Sequence, residues 1–165
     1  MNNKHATFRD VMKWATDRNF YGEGGATYEQ QTLKFLEELG ELSGAYVRKK
    51  DLRDHIGDCL VVHIILRGFS QGEDETYSIT DVQNTPNIRQ SSSYMLRKLA
   101  SLSGIGRGNE MIIADILCVI ANAAGLTLQE CLDVAYGEIK DRKGKFIDGV
   151  FVKESDLSCT GQPKS

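Results

Sequence analysis

Residues 33–62 put acids where a helical chain normally keeps oil. The run reads LKFLEELGEL, a short basic linker, then DLRDHIGDCLVV. Each half carries the spacing of an amphipathic helix, and residues on a helix turn by about 100° each. Glu37 and Glu41 then lie about 40° apart, as do Asp54 and Asp58, and Glu38 lies about 60° from Glu41. The acids stand amid Leu33, Phe35, Leu36, Leu39 and Leu42 on one segment and Ile56, Leu60, Val61, Val62 and Ile65 on the other. Val61 and Ile65 continue the Asp54/Asp58 stripe itself. A linker of a few residues makes the two helices antiparallel neighbours, so two acidic stripes face one seam. Bare carboxylates in such a seam repel and lose solvation. A hard divalent cation removes that conflict, and Mg2+ takes oxygen ligands while keeping positions for water and phosphate. Gly40, Gly44 and Gly57 beside the acids leave room for close helix approach or for a ligand.

The rest of the chain reads as further helices. Thr7 opens a helix over 7–19 whose stripe is Phe8, Val11, Met12 and Ala15. Trp14 near its end is either core or a stacking platform for a base, with Arg18 and Asn19 beside it for polar contacts. The glycine-rich FYGEGGA (20–26) is a loop, either a flap over the site or a plain connector. Thr27 to Gln30 is a capping box that starts the second helix. Lys34 is placed to pair with Glu38 at i,i+4 or to meet a phosphate oxygen. Asp51 is expected to cap the third helix, which runs to about Arg67, with His63 on the side away from the acids. Residues 68–90, with the acidic Glu73-Asp74-Glu75 and Pro86, carry no helical period and read as a long loop.

The segment 93–125 resembles 33–68. Aligning 33–44 with 93–104 and 56–68 with 113–125 gives ten identities in 25 positions, with a linker three residues shorter. Shared LSG and I-x-D-x-L-x-V point to a degenerate internal repeat. In that copy Glu37, Glu38, Glu41 and Asp54 become Arg97, Lys98, Ser101 and Met111, and only Asp58 keeps its acid, as Asp115. The expected fold is all-α: a four-helix core of two pseudo-repeated helix pairs, with flanking N- and C-terminal helices. Arg97 and Lys98 either face solvent or support the acidic side. A second capping box, Thr127 to Glu130, opens a last helix ended by Gly144. Phe146–Val152 around Asp148-Gly149 predicts a small β-hairpin, and 154–165 is a disordered tail.

EELGE followed by D-H-I-G-D resembles the MazG-like family of all-α nucleoside triphosphate pyrophosphohydrolases, whose pattern is E-E-x-x-E on one helix and E-x-x-D on the next. Glu37, Glu38, Glu41 and Asp58 match it; His55 stands where the second motif's Glu is expected. Imidazole is a poor Mg2+ ligand, so Asp54 takes that place and His55 supports the ligands. The W-x-x-x-R-N segment of Trp14, Arg18 and Asn19, and AYGEIKDRKGKFIDGVFVKE near the C-terminus, are similar to phage-type members, although Gly137 replaces an Asn common there. The resemblance implies hydrolysis of a nucleoside triphosphate to monophosphate and pyrophosphate. It assigns catalysis to Glu37, Glu38, Glu41 and Asp58, a Mg2+ or Mn2+ ion to Glu38, Glu41, Asp54 and Asp58, and substrate contacts to Trp14, Arg18, Asn19, Lys34, Lys140 and Arg142. The same layout serves enzymes acting on dUTP, dCTP or phosphoribosyl-ATP, and a non-catalytic module binding nucleotide or protein is the alternative.

Composition sets outer bounds. At 165 residues the chain holds one domain with a real core, and a net charge of −3 disfavours a general nucleic-acid binder. Cys59, Cys118, Cys131 and Cys159 lack metal spacing, and three fall in helical patterns, which suits a reducing compartment. No apolar run reaches membrane-spanning length, and MNNKHATFRD has no apolar signal core, so the cytoplasm is expected. The repeat permits either a monomer with a pseudo-dimeric core or a homodimer.

Overall fold

Threonines open three of the helices by the same device. Thr7, Thr27 and Thr127 each accept a hydrogen bond from the backbone three residues on, and the side chains of Asp10, Gln30 and Glu130 accept from the threonine N–H groups in return. Each such cap is worth about 1 kcal/mol. The structure, a computed structural model, describes residues 4–72, 78–83, 92–102 and 110–157. In order these form α1 (Phe8–Asp17), α2 (Tyr28–Val47), α3 (Arg53–Gln71), α4 (Ile79–Gln83), α5 (Ser92–Leu102), α6 (Glu110–Ala123), α7 (Leu128–Ile139), β1 (Gly144–Ile147), β2 (Val150–Lys153) and α8 (Glu154–Leu157). The fold is all-α with one antiparallel hairpin. No single described helix is long and apolar enough to cross a membrane.

α3 is the axis of the molecule. From Ile56 to Arg67 every residue except Asp58 is buried, His63 completely so. A helix apolar on all sides must be covered on all sides, and α1, α2, α6 and α7 do this. α5 packs on α6 and α2, completing the two helix pairs. The largest helix contact is between α3 and α7, so α7 joins the core rather than flanking it. Gly57 makes that approach possible: a Cβ there would run into the Cys131 carbonyl and sit 2.7 Å from the Ala135 methyl. Gly40, by contrast, faces open space, and Gly44 lies under the Arg48 guanidinium.

Several boundaries differ from expectation. Leu52, not Asp51, is the N-cap of α3; Asp51 stands one residue outside and its carboxylate accepts the Arg53 N–H at 2.9 Å. α3 continues past Arg67 to Gln71, because Phe69 gains a ring partner in Tyr21, centroids 4.8 Å apart, while the Tyr21 hydroxyl donates to the Ile65 carbonyl. Gly72, at φ 69°, ends it. The expected 68–90 loop therefore starts late and contains α4; Glu73-Asp74-Glu75 and Pro86 lie outside the described residues. α7 stops at Ile139, well before Gly144, which instead begins β1. Its last carbonyls are taken by α1: the Trp14 indole donates to Ile139 and Arg18 donates to Lys140 and Arg142. Asp148 and Gly149, with φ of 50° and 78°, make the two-residue hairpin turn that Asp-Gly favours. Of the expected tail, residues 154–157 form a helical turn, and 158–165 lie outside the described residues.

Candidate functional site

α2 offers its acids to two environments. Glu38 falls in line with Phe35, Leu39 and Leu42 and is only 7% exposed, whereas Glu37 and Glu41 lie on the surface. A carboxylate so placed needs a partner, and Lys34 supplies it: Nζ is 2.7 Å from Glu38 and 3.0 Å from Glu37. Burial works against the Lys34 ammonium, but the hydrogen bonds to Glu38 and Glu37 outweigh it and hold the lysine above its usual range.

α3 brings the opposing acids. Asp54 Oδ1 is buried with no hydrogen-bond partner, and His55 Nδ1 lies 3.8 Å from Glu41 Oε2, beyond bonding distance. Asp58 is half-buried and its carboxyl is pushed up to about 7, first by burial, then by the negative charges of Glu38, Asp54 and Glu138, with Arg142 pulling the other way. Cys59, sealed behind it, is raised well above the ordinary thiol range by burial and by the fields of Glu38, Asp58 and Glu41. Glu38, Asp54 and Asp58 thus share one electrostatic neighbourhood, as the interleaved pattern of acid and oil implies. They do not yet share a chelating geometry: among the described residues no three His, Cys, Asp or Glu side chains are grouped tightly enough to hold a metal ion. In donor chemistry the residues suit a hard cation. All are carboxylates, one buried oxygen is without a partner, and one acid holds its proton above the normal range, first because it is buried and then because its neighbours are negative.

α7 adds a third wall. Because Gly57 admits Cys131 and Ala135, the next turn of α7 brings Glu138 towards Asp58, and Arg142 follows one turn later. Glu138 was not singled out from the sequence. Its only signal there is the i,i+4 spacing to Arg142 at the end of the Leu128, Cys131, Leu132, Ala135, Ile139 stripe. Lys140 is exposed and Arg142 half-buried.

The aromatic candidates have other work. Trp14 is buried, its N–H is 2.7 Å from the Ile139 carbonyl, and its ring packs on Phe20 and Phe151 at centroid distances of 5.3 and 6.0 Å. The Arg18 guanidinium sits 4.7 Å over the same ring while donating to the carbonyls of Trp14, Lys140 and Arg142. Asn19, at φ 62°, donates from Nδ2 to the Glu23 carbonyl. None of these hydrogen bonds reaches the acid cluster; those of Trp14 and Arg18 tie α1 to the segment 139–142 that closes α7, and that of Asn19 stays within its own loop.

No family model matches the chain. No solved structure matches it either. A stretch of 60 residues is 43% identical to an uncharacterized 18.2 kDa protein in the rep-hol intergenic region of Haemophilus phage HP1 (strain HP1c1). The match covers 35% of this chain and spans only 36% of that relative.

Proposed function

We propose that this chain is a MazG-like hydrolase that converts a nucleoside triphosphate to its monophosphate and pyrophosphate with Mg2+ or Mn2+. The observation that carries the reading is the half-buried Asp58 crowded by Glu38, Asp54 and Glu138, beside an unpartnered Asp54 oxygen. A stably folded protein has little reason to keep such a group of acids unless a cation or a proton resolves it. Glu38, Glu41, Asp54 and Asp58 would hold the ion. When bound, it would neutralise phosphate charge and lower the pKa of water. The chain's own groups do the rest. The exposed Glu37 and Glu41 are placed to orient a water. Lys34 is free to exchange its carboxylate partners for a phosphate once the ion answers Glu38. Lys140 and Arg142 hold the departing pyrophosphate, and charge-assisted bonds of this kind are the stronger ones. Trp14 and Arg18 serve by fixing the backbone from which Lys140 and Arg142 project, and Asn19, on the exposed loop beside them, would supply a polar contact to substrate.

His55 and Gly137, in place of Glu and Asn, favour the second reading, a non-catalytic module that binds nucleotide or a partner protein. Discrimination among dUTP, dCTP, phosphoribosyl-ATP and other substrates has no residue assigned to it. The cytoplasm is the proposed compartment. Leu33, Leu36 and Val47 form an exposed apolar edge on α2 that would serve a homodimer; the pseudo-paired core serves a monomer. The deciding experiment is pyrophosphate release from a panel of NTPs and dNTPs with Mg2+, with EDTA and the Glu38→Gln variant as controls. Release that disappears with EDTA and in Glu38→Gln supports hydrolysis. Silence across the panel with nucleotide binding intact supports the module.

A further inference from the structure

A cavity of about 460 Å3 lies where the α2–α3 linker meets the end of α6. That volume falls in the range of small-molecule pockets. Its lining combines apolar Tyr46, Leu52 and Leu126 with basic Lys49, Lys50 and Arg53 and the single acid Asp51. Arg53 is answered by Asp51, 3.4 Å away, while Lys49 and Lys50 make no ion pair among the described residues. Beyond the negative end of α2, which both follow, these two lysines are left without a carboxylate partner among the described residues. Lys49 also occupies a costly backbone position. It follows the end of α2 at φ 53°, its N–H bonding the Tyr46 carbonyl and that of Lys50 bonding Ala45. Helix ends of this form favour glycine, which has no side chain to clash. A lysine stands there where glycine would be unstrained, and an outlier of this kind is a fair starting point for function.

We propose that this cavity binds a nucleoside monophosphate, with the phosphate between Lys49 and Lys50 and the base against Tyr46, Leu52 and Leu126. The charge matches, since a phosphate monoester carries about two negative charges at neutral pH. A triphosphate would exceed what two lysines answer and would need a divalent cation that this lining has no cluster of acids to hold. The site uses none of the acids at the Asp58 cluster and does not depend on hydrolysis there.

The test is calorimetric titration of the full chain with adenosine 5′-monophosphate in EDTA, which keeps divalent cations off the carboxylates. Adenosine alone and inorganic phosphate are the comparators, and each should bind at least about tenfold more weakly than the monophosphate. Lys49→Gly should weaken binding by at least about tenfold while holding or raising the unfolding midpoint, because glycine relieves the positive φ. Asp58→Asn should leave the affinity unchanged. No heat at millimolar monophosphate, full binding by Lys49→Gly, or loss of binding in Asp58→Asn would each overturn the assignment. The last outcome would move the nucleotide to the carboxylates. Failure of the hydrolysis assay would leave this titration unaffected.

Discussion

The two helix pairs of this chain are alike inside and unlike at their rims. Position by position, Ile56 to Ile64 of α3 and Ile113 to Ala121 of α6 are buried, and in each run only the aspartate, Asp58 or Asp115, is half-buried. Phe35 of α2 and Met95 of α5 are both almost fully buried. The acids part company. Glu38 is buried and its counterpart Lys98 is exposed; Glu37 and its counterpart Arg97 are both exposed but opposite in charge. Leu36 is 42% exposed, whereas Leu96 is 7% exposed. Packing therefore accounts for the shared residues and leaves the acids of the first pair unexplained. Nothing about covering α3 requires a buried Glu38, since the second pair achieves its cover without one. This contrast is the strongest physical argument that the acids serve chemistry. The side chains at positions 101 and 111, opposite Glu41 and Asp54, lie outside the described residues.

The contrast can be broken by substituting matched positions. Asp58→Asn should lower Mg2+-dependent pyrophosphate release by about a thousandfold, the scale on which charged catalytic contacts act, while Asp115→Asn should change it by less than about twofold. Equal effects in a steady-state assay would dissolve the distinction between the pairs. Next in size, Gly57→Ala should cost about 3 kcal/mol, because the added methyl meets the Cys131 backbone, where little can yield. Its mirror, Ala114→Gly, should cost about 1 kcal/mol, the helix penalty of glycine. Urea unfolding of both variants checks this, and equal costs would mean that α6 is as tightly covered as α3.

The smallest effect is on pH. Asp58 titrates at about 7 in the folded protein against 3.8 as the ordinary value. A raised carboxyl binds its proton more tightly folded than unfolded, so its stabilising contribution is complete below pH 4 and is lost as pH rises through 7. In EDTA the unfolding temperature should therefore carry a component that falls between about pH 4 and pH 7, and Asp58→Asn should remove it. Asp115→Asn should leave the slope in place. A slope indifferent to Asp58→Asn would show that another group sets it.

Local chemistry made much of this fold legible. Thr7, Thr27 and Thr127 announce their helices through side chains three residues away, and Asp148-Gly149 announces its turn through two positive φ angles. Such signals need no knowledge of the rest of the chain. Of the expected acid stripe only the burial of Glu38 was legible, from its place in line with Phe35, Leu39 and Leu42; Glu37 and Glu41, read the same way, are exposed. What escaped was whatever depends on a distant partner. The length of α3 is set by Tyr21, the end of α7 by Trp14 and Arg18, and the place of Glu138 by a glycine on another helix. Trp14 itself reads the same in sequence whether it stacks on a base or on Phe20; only the carbonyl of Ile139 decides where its N–H goes.

That last bond has a consequence for how the molecule is made. α1 leaves the ribosome well before residues 139–142, whose carbonyls receive Trp14 and Arg18. α1 can pack on α3 earlier, but Trp14 and Arg18 must wait for their partners until residues 139–142 have been synthesised. Contacts of such long sequence separation form slowly. A fusion partner that delays release of the C-terminal segment would prolong that wait, and aggregation during synthesis should track the delay more closely than the stability of the finished protein.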